Sequence, residues 1–184
     1  MKTKVFCIAI MLCVTTILPA QSAEDFTRHS GYVDFGSFDK FKDAEETVEV
    51  FIQGPLLKFV SRATAKEDPE LSKLLDDLVL VKVNVFSVAG KEEKEIQSMI
   101  KNISGKLKSK KWETMVRVKE PGEKVEIFTQ FDKSGNMIGL VVMALESGDE
   151  AVFVNIAGKI DPDKIARLGG KFNIPKLDSL DIKQ

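Results

Sequence analysis

Between Trp112 and Ile156 the chain passes through four stretches of alternating or continuous apolar residues, separated by three turn clusters. No other feature constrains the fold as much. Consecutive strands joined by short turns pair with each other, so this region is an antiparallel meander. In Trp112–Lys119, one set is Trp112, Thr114, Val116 and Val118; the other is Glu113, Met115, Arg117 and Lys119. A period of two with one polar set predicts a half-buried strand. Pro121-Gly122-Glu123 turns the chain into Lys124–Phe131, where Val125 and Ile127 oppose Glu126 and Phe128. After a second turn at Asp132–Asn136, Met137–Leu145 is apolar nearly throughout and reads as a central strand. Ser147-Gly148-Asp149 leads into Ala151–Ile156, with Val152, Val154 and Ile156 as its inward set.

A helix over 162–168 follows. Asp161 is a helix cap by residue type, Pro162 suits the first helical position, and Gly169 suits the stop. Earlier, Thr47–Gln53 reads as a strand, and Gly54-Pro55 opens a helix over 55–65 with Leu56, Phe59, Val60 and Ala63 inward. Asp68-Pro69 opens another over 69–77. Leu78–Val88 is a sixth strand, and the helix over 91–108 carries Ile96, Met99, Ile100, Ile103 and Leu107 on one face. The fold class is therefore α+β: a single, mostly antiparallel sheet of about six strands with helices packed on one face, the valine face. Whether the two early strands, joined through helices, are parallel neighbours or flank the meander stays open.

The segments WETMVRVKEPGEKVEIFTQ and EAVFVNIAGKIDPDKIARLGG resemble the bacterial exported family called domain of unknown function 4252. GYVDFGSFD at 31–39 and VEVFIQGPLLKFVSRAT at 48–64 carry the likeness back, so that it spans roughly Gly31 to Gly169. It consists of strands and glycines rather than catalytic residues. The resemblance implies an exported bacterial domain and assigns no activity.

Lys2 and Lys4, an apolar run from Val5 to Leu18 and small residues at Ala20 and Ser22 form a signal-peptide pattern over 1–22. The run is too short for a spanning helix, which needs about 20 apolar residues. Cys13 follows Leu12, where lipid attachment wants a small residue, so Cys7 and Cys13 leave with the signal. The chain divides into 1–22, a poorly ordered segment 23–41, and one domain with a C-terminal tail over 42–184. Loss of Lys2 and Lys4 leaves 25 basic residues against 28 acidic ones, a net charge of about −3 with no basic stripe. Nucleic acid is an unsuitable partner for such a surface.

Enzymatic chemistry is narrowed by the residues at hand. His29 is the single histidine and the mature chain has no thiol, so Ser-His, Cys-His and thiolate or imidazole metal sites lack their parts. Carboxylates remain. Asp76-Asp77 is an adjacent pair on a helix end, where neighbours do not face each other. Asp132-x-Ser134-Gly135-Asn136 has one carboxylate where a calcium loop needs several. No cofactor is implied.

One constellation is left. Phe51, Phe86, Phe128 and Phe153, with Met115 on the fifth strand, fall on the face opposite the valines. A solvated face does not carry an aromatic on nearly every strand. Either this face is covered, by the N-terminal segment, the tail or a second copy, or it is an interaction face for a peptide, lipid or glycan. The expected function is an exported, periplasmic or secreted, non-catalytic binding or interaction protein whose partner is an envelope protein, peptide, lipid or glycan, with a homodimer as a further expectation. The alternative is a carboxylate-dependent, hydrolase-like enzyme of the cell envelope.

Overall fold

The computed structural model describes residues 25–41, 44–88 and 92–162. The strands are β1 (Thr47–Gln53), β2 (Leu78–Ser87), β3 (Glu113–Glu120), β4 (Glu123–Phe131), β5 (Met137–Glu146) and β6 (Glu150–Gly158), and the helices α1 (Gly54–Thr64), α2 (Pro69–Asp77) and α3 (Glu93–Ser109). They build a six-stranded sheet of order β1-β2-β6-β5-β4-β3 in which every neighbouring pair is antiparallel. The fold is α+β. The signal-like segment 1–22, the tail after Gly170 and all but the first residue of the helix expected over 162–168 lie outside the described residues.

β1 and β2 are neighbours, but antiparallel rather than the parallel pair the sequence allowed, and β2 joins the meander on β6. Two successive helices decide this. α1 carries the chain away from the end of β1, α2 returns it, and Gln53 comes to lie opposite Leu80. Asp68 caps α2 by accepting the Leu71 N–H at 3.0 Å, ahead of Pro69 at the first helical position.

Two apolar clusters occupy the two faces. Val125, Ile127, Val142, Val152, Val154 and Ile156 pack with Leu57 of α1 and Leu74 of α2. Phe86, Phe128, Val141, Met143 and Phe153 pack on the other face with Ile96, Ile100, Ile103 and Leu107 of α3. The expectation that α3 shares the valine face is thus corrected: helices lie on both faces. The valines and the phenylalanines both need cover, and the long link from β2 to β3 is free to cross on the aromatic side.

α1 is rotated from its expected setting. Leu57 and Ser61 are its buried residues, while Leu56 and Phe59 face out. The rotation follows from the seam with α2, where the Ser61 and Ser72 hydroxyls meet at 3.1 Å. Small side chains let the two helices approach there, and a phenylalanine would hold them apart.

In β3 the two-residue alternation is interrupted. Thr114 lies opposite Phe128 but Val116 opposite Ile127, so Met115 is the extra residue of a bulge. Trp112 consequently packs on the aromatic side, whereas Met115, Val116 and Val118 pack on the valine side. The placement of Met115 with the phenylalanines, and of Trp112 with Val116, is corrected by that one inserted residue.

Candidate functional site

Phe51, Phe86, Phe128 and Phe153 do share a sheet face. The register sets Phe51 against Lys82, Lys82 against Asn155, Phe86 against Ala151, and Phe128 and Phe153 in line through Val141 and Met143. Phe86, Phe128 and Phe153 are fully buried there, and Phe51 stays partly in solvent. α3 covers the β3–β4–β5 half. A strap made of residues 25–41 covers the β1–β2–β6 half.

Sequence reasoning expects order within 23–41 to begin near Tyr32 to Phe41; from Asp25 the chain is laid along the sheet by specific contacts. Phe26 meets Phe51 edge-on at 5.5 Å and Tyr32 at 5.4 Å. Phe35 meets Phe153 at 5.7 Å, Phe38 meets Phe86 and Phe153, and Phe41 stacks on Phe86 at 4.5 Å. Aromatic pairs in such geometries contribute roughly 0.5–1.5 kcal/mol each beyond area burial.

The anchor is Asn155, fully buried at the centre of β6. Its Oδ1 accepts the Val33 N–H at 2.9 Å, and its Nδ2 donates to the Gly31 carbonyl at 2.9 Å and the Leu140 carbonyl at 3.2 Å. One side-chain amide thus takes the place of a missing strand partner for the strap. Gly31 and Gly139 make the crossing possible. A Cβ on Gly31 would stand 2.0 Å from the Ile138 carbonyl oxygen, and one on Gly139 would stand 2.7 Å from the Gly31 Cα. The sequence held a signal for this: an asparagine inside an otherwise apolar central strand must find partners, and a glycine inside a strand marks close backbone approach.

Near the strap, His29 Nδ1 accepts the Gly31 N–H at 3.1 Å, and burial pushes its imidazole below the ordinary value. The Tyr32 phenol is pushed up by burial and by Asp34.

The buried carboxylate is Glu126, on the α3 side. It accepts the Ser104 hydroxyl at 2.7 Å and faces Lys124 at 3.4 Å and Arg117 at 3.9 Å. It lies at a cleft of about 590 Å³ between α3 and the β3–β4 turn. Two cations and a hydroxyl satisfy it, and that arrangement is structural in kind: a buried charge persists where it is paired. Asp132 is held below the ordinary carboxylate range chiefly by Asn136, and its oxygens accept from the Ser134 and Asn136 backbones. It closes a hairpin turn. Asp76 and Asp77 are exposed at the end of α2, where the Asp77 carbonyl accepts the Lys159 N–H. Among the described residues, no group of three or more histidine, cysteine, aspartate or glutamate side chains is placed to hold a metal ion.

The surface has one apolar concentration among the described residues. Among the described residues the exposed large hydrophobics are Val48, Phe51, Leu56, Phe59 and Phe131, and four of these five belong to edge strand β1 or the helix that follows it. Phe59 is 69% exposed and Val48 is 53% exposed.

Taken together, this is an antiparallel α+β domain whose sheet is closed on one face by its own strap and helix, and whose first edge is apolar and, among the described residues, open. The chain belongs to the family described as Domain of unknown function (DUF4252), whose model matches residues 41–168. The match begins at Phe41, so most of the strap lies ahead of it. No curated protein and no solved structure matches the chain.

Proposed function

We propose that this is an exported, non-catalytic interaction protein of the bacterial cell envelope that offers the β1 edge to an extended strand of an envelope protein. The single observation that carries the reading is the apolar edge itself. Among the described residues β1 pairs on one side only, has Glu49 as its one charge, and carries or adjoins exposed Val48, Phe51, Leu56 and Phe59. An unpaired strand with apolar side chains is a template for strand addition, in which main-chain hydrogen bonds give affinity and alternate side chains give selectivity. Export rests on the Lys2/Lys4 start, the Val5–Leu18 run and the small residues before Ala23. Among the described residues no helix is long and apolar enough to cross a membrane.

The edge is also self-complementary. Antiparallel pairing of two copies centred on Val50 sets Val48 against Ile52 and Glu49 against Phe51, with no like charges opposed. A photo-crosslinking residue at position 48, compared with one at position 119 on the opposite edge, separates the cases in the native envelope. Adducts at 48 with none at 119 support the docking edge, and their mass tells a second copy from another protein. Equal labelling at the two positions, or none at 48, overturns the reading.

A further inference from the structure

The strap does not seal the whole aromatic face. Between its Gly36–Phe41 portion and strands β1–β2 lies a cleft of about 200 Å³. Phe38, Phe41 and Phe86 give it an apolar wall, and Glu49, Lys82 and Asn84 line it from the strands. Asn84 is only 5% exposed, yet its Oδ1 is buried without a hydrogen-bond partner. Such a group is costly where it stays unmet, so a buried unmet amide at a cleft marks a place for a ligand. Its flanks are charged. Glu49 lies directly opposite Asn84 across the β1–β2 pair, and Lys82 precedes Asn84 by two residues on the same face. Opposite charges at this diagonal spacing, roughly 7–8 Å between strands, are within reach of each other. No ion pair joins Glu49 and Lys82, and neither has another partner among the described residues.

We propose that this cleft binds a free α-amino acid with a large apolar side chain. Lys82 takes the carboxylate, Glu49 takes the ammonium, and the Asn84 amide between them completes the hydrogen bonds. The side chain lies against Phe38, Phe41 and Phe86. The volume fits a single molecule of that size, being below the roughly 300–1,000 Å³ of sites for drug-sized ligands. The wall supplies the offset and edge-on ring contacts that aromatic groups prefer. The cleft shares Thr47, Val48 and Glu49 with the β1 edge, but its own test needs no partner protein.

Calorimetric titration of the full mature chain with L-phenylalanine and L-leucine tests this directly. Saturable binding is expected, accompanied by a rise in melting temperature. Phenylacetate lacks the ammonium and phenethylamine lacks the carboxylate; each should bind at least about tenfold more weakly. Lys82→Gln and Glu49→Gln should lose affinity by a similar factor while melting like the parent without ligand, and Asn84→Ala should lose it as well. Because Asn84 is buried, the two charge variants carry the decision if that third variant folds poorly. Absence of saturable heat at millimolar amino acid, or unchanged affinity in Lys82→Gln and Glu49→Gln, overturns the proposal.

Discussion

The two edges of this sheet are built on opposite rules. β3, at one end, carries Glu113, Arg117, Lys119 and Glu120 among its eight residues and is bent by the bulge at Met115. β1, at the other, has one charge in seven residues and pairs with β2 without a register shift. Charges and bulges are the devices by which sheet edges avoid adding foreign strands. β3 has both of them, whereas β1 has no bulge and a single charge, Glu49. The halves behind these edges differ in the same sense. A regular helix of 17 residues, α3, covers the β3 side of the aromatic face. An irregular strap, fastened by Asn155 and a glycine–glycine crossing, covers the β1 side. One side is finished as a surface; the other is assembled from pieces and stays apolar at its rim.

The largest expected effect comes from removing the protection of β3. Deleting Met115 straightens the strand and forces either Trp112 off the aromatic cluster or Val116 and Val118 off the valine cluster. The loss should approach that of truncating a large core side chain, about 3–5 kcal/mol. A urea titration showing a loss under about 1 kcal/mol would mean that the bulge does not set the register.

Next in size is the anchor of the other half. Asn155→Ala leaves the Val33 N–H and the Gly31 carbonyl without their partner, and each unmet buried group costs about 1–3 kcal/mol. Hydrogen exchange should quicken over residues 31–41 and stay unchanged in α3. Uniform quickening across both halves would count against a strap fastened locally.

At the β1 rim, Val48→Lys should change stability by no more than about 0.5 kcal/mol, as exposed substitutions do. The same change should abolish association through this edge, and light scattering should report loss of any self-pairing. A variant that still associates through β1 would erase the distinction between the edges.

The smallest effect concerns charge at the β1 side's end. Burial, then Asp149, Glu146 and Glu46, push the Glu150 carboxyl above its ordinary value. The folded chain therefore holds this proton more tightly than the unfolded one. That contribution is fully present below the unfolded pKa and is lost as pH rises through the folded one. Glu150→Gln should melt slightly higher than the parent at neutral pH, with the gap closing below the carboxylate range. A gap that widens on acidification would reverse the sign.

Much of the fold is legible in the residues because its causes are local. Alternation with period two identifies the strands, Asp68-Pro69 starts α2, and the turn clusters fall where the meander reverses. The common face of Phe51, Phe86, Phe128 and Phe153 is legible for the same reason, since an unbroken register carries side-chain parity across a whole strand. Met115 escapes that logic because one inserted residue reverses parity, and a bulge has no distinctive signature in ETMVRVKE. The anchor was half legible: Asn155 and Gly139 stand out within apolar strands, but their partner, Gly31, is more than a hundred residues away.

By itself, the sequence determines the class of this domain, its strands and helices, and the apolar residues each presents. Those follow from backbone geometry and from neighbours a few positions apart. Only the tertiary structure decides that α3 crosses to the aromatic face, that α1 turns Leu57 inward and Phe59 outward, and that residues 25–41 become part of the core. Each is a choice between faces equally apolar in sequence, made by which surfaces still lack cover once the sheet has formed and by where small residues allow backbones to meet.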